Sequence, residues 1–314
     1  YRTALALAET LQDPIAVARV QYGLGMLFRL QGQVANALDL LVKARNGYES
    51  LRDERALAGG LLELGLVLFR NGEYADAQKQ LERGLVLARA AGDSSAVALA
   101  LNNLGLVSID QGEYAKAQSF HEESLALRRE LGDKQGIASS LNNLGHLAFE
   151  QGNYTTGRTF HEESLALRRE LGEKMGIIAS LSNLGNIFYG LGDHAGAQAQ
   201  YEESLVLARE LNAKPNIAIL LNNISVMITA QGGDPKIART LQEESLALRR
   251  EMGNRLGIAH ALGNLANITR EQGDFTEAHR LFAESLTIRM ELNDQLGIAV
   301  LLSAMAEMAA AEGN

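Results

Sequence analysis

The 314-residue chain contains no cysteine and no tryptophan, and aromatic residues make up 5% of it. Without cysteine there can be no disulfide, no thiolate metal site and no cysteine nucleophile. That composition suits a reducing compartment, and a cytoplasmic location is expected. Basic residues are in the minority: 29 Lys and Arg against 38 Asp and Glu give a net charge of −9. A nucleic-acid-binding role is therefore not expected, since neutralising phosphates requires a basic stripe. No apolar run approaches the ~20 residues that cross a bilayer, so no membrane role is expected. Walker, GxGxxG, HExxH and GxSxG strings are all missing. Acidic residues are dispersed at helical spacing, with no isolated pair suited to acid–base work. Neither enzyme activity nor a cofactor is expected.

What the chain does have is a beat of forty residues. Glycines fall at Gly32, Gly72, Gly112, Gly152, Gly192 and Gly232, and after one inserted residue again at Gly273 and Gly313. Asp13, Asp53, Asp93, Asp133 and Glu173 keep the same time, followed by Asn254 and Asp294. HEESLALRREL occurs twice, at 121–131 and 161–171, and EESLALRRE returns at 243–251. Self-similarity at fixed period means stacked supersecondary units, each burying its apolar face on its neighbours. The repeat overrides the two-domain expectation that length alone would give.

Each unit reads as two helices, A and B. In 95–134 the first half places Leu101, Leu104, Gly105 and Ser108 at i, i+3, i+4, i+7, one helical stripe. Gly112 breaks the chain. The second half turns Tyr114, Ala117, Leu125 and Leu131 toward its partners. Gly132 then supplies a left-handed terminator, and Asp133 an N-cap for the next helix. Pro215 and Pro235 fall at or near first helical turns, where a missing N–H costs nothing. The expected architecture is all-α: a single solenoid over 1–314 of about sixteen antiparallel helices, with a leading helix B at 1–12, seven complete A–B pairs and a trailing helix A at 295–312. The chain opens at Tyr1 in mid-repeat and stops just past Gly313, so a fragment of a longer protein is expected. Small residues recur in helix A at Gly25, Gly65, Gly105, Gly145 and Gly185, and in helix B at Ala37, Ala77, Ala117, Ala197, Ala238 and Ala278. Glycine inside a helix costs ~1 kcal/mol relative to alanine, so its recurrence implies that a larger side chain would wedge A from B.

Leu104–Gly105, Gly112, Tyr114 and Ala117, spaced alike in at least six units, resemble the tetratricopeptide repeat (TPR) family over essentially the whole chain. The unit is longer than the family's usual 34 residues, and the family's early Trp and terminal Pro are missing. The long unit, with its NNLG and ELGDKxGIA segments, resembles the arrays of Pins-type polarity adaptors and, still more, of bacterial STAND-class regulators. The resemblance implies a right-handed superhelix whose concave groove, lined by helix A, binds a protein or peptide.

Helical arithmetic selects the groove stripe at i, i+4, i+7, i+11: Leu99, Asn103, Leu106, Asp110; then Ser139, Asn143, His146, Glu150; Ala179, Asn183, Asn186, Gly190; Ile219, Asn223, Val226, Ala230; and His260, Asn264, Asn267, Glu271. One position is Asn five times: Asn103, Asn143, Asn183, Asn223 and Asn264. A carboxamide offers two donors and an acceptor, so such a ladder can grip the N–H and C=O groups of an extended peptide. His146, Asn186, Asn267, Phe149 and Tyr189 complete the candidate site. The alternative keeps each Asn as a bond between neighbouring helices, the role expected of the adjacent Asn102, Asn142 and Asn222. The positions four before each Asn carry no Lys or Arg, so the carboxylate clamp of chaperone-binding arrays is not expected. A metal shared by His121 and His161 is also not expected: helices ~8–10 Å apart hold them too far from one another, and both are read as solvated or half-buried. The Glu122–Glu123 and Arg128–Arg129 pairs are read as a mixed-charge outer surface. Two other functions stay open: a sensor arm of a multidomain ATPase or transcription regulator, and a structural array that self-associates head to tail.

Overall fold

The computed structural model describes residues 2–10 and 12–311, and these form sixteen α-helices with no strand among them. The helices are α1 (Arg2–Thr10), α2 (Pro14–Leu30), α3 (Val34–Leu51), α4 (Glu54–Arg70), α5 (Tyr74–Ala90), α6 (Ser94–Asp110), α7 (Tyr114–Leu131), α8 (Lys134–Glu150) and α9 (Tyr154–Leu171), followed by α10 (Lys174–Gly190), α11 (His194–Glu210), α12 (Lys214–Ala230), α13 (Pro235–Glu251), α14 (Arg255–Glu271), α15 (Phe275–Glu291) and α16 (Gln295–Ala311). Even-numbered helices are the A elements and odd-numbered ones the B elements. The chain divides into two compact units, 1–167 and 168–314.

The forty-residue period comes from long helices, not long turns. α6 has 17 residues and α7 has 18, each about 25 Å long, and Gln111–Glu113 alone link them. The beat glycines supply the A-to-B turn, with Gly112 at φ +75°, where a Cβ would be strained. The inserted residue falls in one such turn: Gly232, Gly233 and Asp234 follow Gln231 between α12 and α13, and both helices keep 17 residues. Caps fall where the acidic beat places them. Asp133 accepts from the Gly136 N–H at 2.9 Å, and Asp13, Asp53, Asp93, Asn254 and Asp294 cap in the same way, whereas Glu173 makes no side-chain cap bond.

Within unit one, Leu101, Leu104 and Ser108 are buried together as the stripe requires. Tyr114 and Leu131, expected to face partners, are instead exposed at the first and last positions of α7. The wedge argument gains a specific partner in the structure. A Cβ on Gly25 or Gly65 would meet Leu41 or Leu81, one on Gly105 or Gly145 would meet His121 or His161, and one on Gly185 would lie 2.3 Å from the Tyr201 ring. The glycines thus make room for one large B-helix side chain per pair. His121 and His161 are fully buried, which corrects their reading as solvated or half-buried: the missing Cβ of Gly105 and Gly145 leaves a slot that each ring fills.

Buried polar contacts bind α7, α9, α11, α13 and α15 each to an adjacent A helix. Ser124 donates to the Ala98 carbonyl at 2.8 Å and Ser164 to that of Ala138 at 2.8 Å. In unit two Ser204, Ser245 and Ser285 do the same to Ile178, Ala218 and Ala259. The twin arginines divide their labour. Arg129 is exposed and reaches Glu163 at 3.0 Å across the repeat. Arg128 is buried, not part of an outer charged surface: its Nη1 donates to the Gly136 carbonyl at 2.6 Å and to Ser140 Oγ at 3.2 Å.

Candidate functional site

The environment of the A-helix stripe differs along the chain, and two of its members, Asn186 and His260, also meet B-helix side chains. In unit one Asn103 is only 5% exposed, which leaves its amide little surface to offer a ligand. Asn143 is half-buried and donates through Nδ2 to Asn102 Oδ1 at 2.9 Å. His146 is exposed beside the Asp110 carboxyl, whose pKa burial raises and the nearby His146 lowers. Phe149 is half-buried, with its ring 5.5 Å from Tyr154 at the A-to-B turn. Beneath this face His121 has neither ring nitrogen in a hydrogen bond. Burial first, then the charges of Arg128 and His146, push its pKa down to about 4, so the ring is neutral at pH 7.

In unit two the amides form a continuous network. Asn186 Oδ1 accepts from the Tyr201 hydroxyl at 2.6 Å and from Asn223 Nδ2 at 3.2 Å. Burial keeps the Tyr201 proton on well above the ordinary phenol range. Asn222 Oδ1 accepts from Asn264 Nδ2 at 2.8 Å and from Gln242 Nε2 at 3.2 Å. Asn183 is half-buried and bonded within the protein. Tyr189 is half-buried, with its ring 5.6 Å from the His194 ring. One N–H of Asn143, Asn223 and Asn264 thus ties adjacent A helices, and Asn223 Oδ1 accepts from Asn222 Nδ2 at 3.3 Å, which joins the two pairs of unit two.

Asn264 and Asn267 also line a cavity of about 520 Å³ across α12, α14 and α16, with Val226, Ile268, Val300 and Ala304 as its apolar surface. A second cavity, of about 320 Å³, shares Asn264, Asn267, Val300 and Ala304 with the first and extends it to His260 and Arg289. Among the described residues Asn267 makes no side-chain hydrogen bond, and it is half-buried. The structure brings together three members of the seventh stripe, His260, Asn264 and Asn267. Val300, Ala304 and Glu307 join them from α16. Sequence reasoning stopped the stripe one helix too soon, although adding forty to 260, 264 and 267 gives those three positions. Arg289 had no such signal, since its register belongs to a B helix.

Among the described residues no three His, Cys, Asp or Glu side chains gather as metal ligands, and no helix is long and apolar enough to cross a membrane. No curated protein matches the sequence. Among solved structures the fold resembles the apo quorum sensor NprR from B. thuringiensis (TM-score 0.72, 16% identity, 90% of this chain and 80% of that one). It also resembles a Rap protein complexed with competence and sporulation factor (TM-score 0.71, 16% identity, 90% and 76%). A third resemblance is to a signal-transduction ATPase with numerous domains that carries a tetratricopeptide repeat sensor, from Pyrococcus horikoshii (TM-score 0.70, 16% identity, 98% of this chain and 46% of that one). These identities speak to the fold. The family model for the tetratricopeptide repeat matches residues 57–130, 136–210 and 216–291, and with most of its length so matched the chain belongs to the tetratricopeptide repeat family.

Proposed function

We propose that the chain is a peptide-binding module whose A-helix face in unit two holds an extended segment of a partner. The observation that carries this reading is the cavity of about 520 Å³ in which the Asn267 carboxamide, unused by the fold, stands beside that of Asn264. A carboxamide pairs equally with a main-chain N–H or C=O, and apolar residues between such groups give a side chain of the ligand somewhere to go. The candidate residues of unit one, Asn103, Asn143, His146 and Phe149, and of unit two, Asn183, Asn186, Asn223 and Tyr189, would shape or extend that surface. A solved structure of like fold, a Rap conjugation gene regulator in complex with the Phr* peptide, supports peptide binding by analogy.

The test is to pan a displayed library of random linear peptides against the protein, with Asn267→Ala as the counter-target. Enriched peptides that bind the wild type at least about tenfold more tightly than the variant support the reading, since tenfold is the ~1.4 kcal/mol of a good amide contact. Failure to enrich any sequence, or binders indifferent to Asn267→Ala, would overturn it. A second reading makes the array the sensor arm of a signalling ATPase or regulator, and the resemblance to the sensor-bearing ATPase favours it. Nucleotide-binding or DNA-binding segments encoded in the same gene would decide for that context.

A further inference from the structure

The two cavities of unit two share four residues and so form one slot, and its ends differ in chemistry. His260, Asn264, Asn267 and Glu271 run along it on one face of α14, a span of about 16 Å. At the first end lies Arg289, 5% exposed, whose Nε has no hydrogen-bond partner among the described residues. Arginines at the same register in other pairs, Arg128, Arg168 and Arg249, donate Nη1 to the carbonyl of a glycine at the start of the next A helix, at 2.6, 2.7 and 2.7 Å. Arg289 departs from them. Its Nη1 meets Asp294 at 2.5 Å and its Nη2 lies 3.3 Å from His260 Nδ1. A guanidinium only donates, so Nδ1 must accept, which leaves His260 with its proton on Nε2 as a further donor. This end presents the His260 Nε2 donor beside the Arg289–Asp294 pair.

The opposite end offers carboxylates. Among the described residues Glu271, the last residue of α14, is exposed and in no ion pair, and Glu307 from α16 pairs with Arg270 at 3.4 Å. Carboxylates at a helix C-terminus oppose the helix dipole. The contrast with the B helices is plain: α7, α13 and α15 end on Arg128 and Arg129, Arg249 and Arg250, and Arg289, as the dipole favours. Glu271 thus stands against its own helix dipole beside an apolar cavity that Arg270 also lines, and with Arg270 turned to Glu307 the two carboxylates keep an excess negative charge there.

We propose that this slot takes a peptide segment bearing a basic side chain, its cation at Glu271 and Glu307 and its main-chain acceptors toward His260 and Arg289. The inference rests on the peptide-groove reading and adds the charge and direction of the ligand.

The test uses three fluorescein-labelled mixtures of random linear peptides, each with one fixed central residue: Lys, Glu or Leu. Binding is read by anisotropy against the wild type, Glu271→Gln with Glu307→Gln, and Asn267→Ala. The Lys mixture is expected to bind the wild type about fivefold more tightly than the Glu mixture, the scale of one partly exposed ion pair. In the double Gln variant that preference should vanish while the Leu mixture binds as before. Asn267-dependent binding with equal affinity for the Lys and Glu mixtures, or a Lys preference that survives in the double Gln variant, would overturn the inference and leave the groove reading standing. Binding of no mixture, or binding indifferent to Asn267→Ala, would overturn both. An unchanged thermal melt of the double variant assigns any loss to the site.

Discussion

Units one and two are built on the same register yet put it to different use. At the B-helix position that fills the A-helix notch, unit one carries Leu41, Leu81, His121 and His161, and unit two carries Tyr201, Gln242 and Phe282. His121 stays under the surface with no hydrogen bond, whereas Tyr201 reaches through to Asn186 and Gln242 to Asn222. One register therefore serves as core at Leu41, Leu81, His121 and Phe282, and as a polar link between B helix and A-helix face at Tyr201 and Gln242. The Asn rungs follow suit: Asn103 is almost wholly buried, while Asn264 and Asn267 open onto a cavity. A repeated residue type does not ensure a repeated environment, because each rung is defined by what the adjacent helix places beside it.

The largest perturbation would close the notch itself. Gly185→Val places carbon within the Tyr201 ring, 2.3 Å from it at the Cβ alone, and should destabilise unit two by about 3 kcal/mol or more. Amide exchange resolved by residue should show the opening in α10 and α11 and leave unit one protected. Exchange unchanged throughout would show that the notch is not tightly filled.

His121 distinguishes the units by pH. Its folded pKa of about 4 lies below the ordinary 6.5, so the unfolded chain binds the proton first as pH falls. The stability held by the neutral ring is fully present above pH 6.5 and is lost as pH falls from 6.5 toward 4, about 3 kcal/mol in all. His121→Leu, which adopts the residue of Leu41 and Leu81, should flatten that slope in unit one and leave the tyrosine, glutamine and phenylalanine registers of unit two unaffected. Chemical denaturation at pH 7 and pH 4.5 is the check.

Smaller effects test the polar links. Ser204→Ala removes a buried bond to the Ile178 carbonyl and should cost about 1 kcal/mol. A double-mutant cycle on Asn102 and Asn143 should return about 1 kcal/mol of coupling. Asn267→Ala, with no bond to lose, should leave the melt within about 0.5 kcal/mol. Arg129→Ala on the exposed ladder should also change stability by about 0.5 kcal/mol or less. A zero coupling for Asn102 and Asn143 would remove the structural role of that rung.

Much of this architecture was legible because it depends on local rules repeated many times. Gly112, Gly132 and Asp133 write the turn, the terminator and the cap into adjacent letters, and the helices follow. Burial was less legible. Arg128 and Arg129 are identical in the sequence, and only the 100° between neighbours on a helix sends one to the Gly136 carbonyl and the other to Glu163. His121 looked like surface because the matching notch, Gly105, lies sixteen residues earlier on another helix. The Asn register was readable, but which rungs face a cavity depends on α16 and on the departure of Arg289, neither of which a single repeat encodes.

The most direct test of the peptide groove is to follow asparagine side-chain amides by NMR in selectively labelled protein while titrating peptides selected from the random library. The account predicts that the Asn264 and Asn267 amide signals shift in a saturable way while those of Asn102 and Asn103 stay fixed. Binding that leaves Asn264 and Asn267 unmoved, or that shifts the unit-one amides instead, would contradict it.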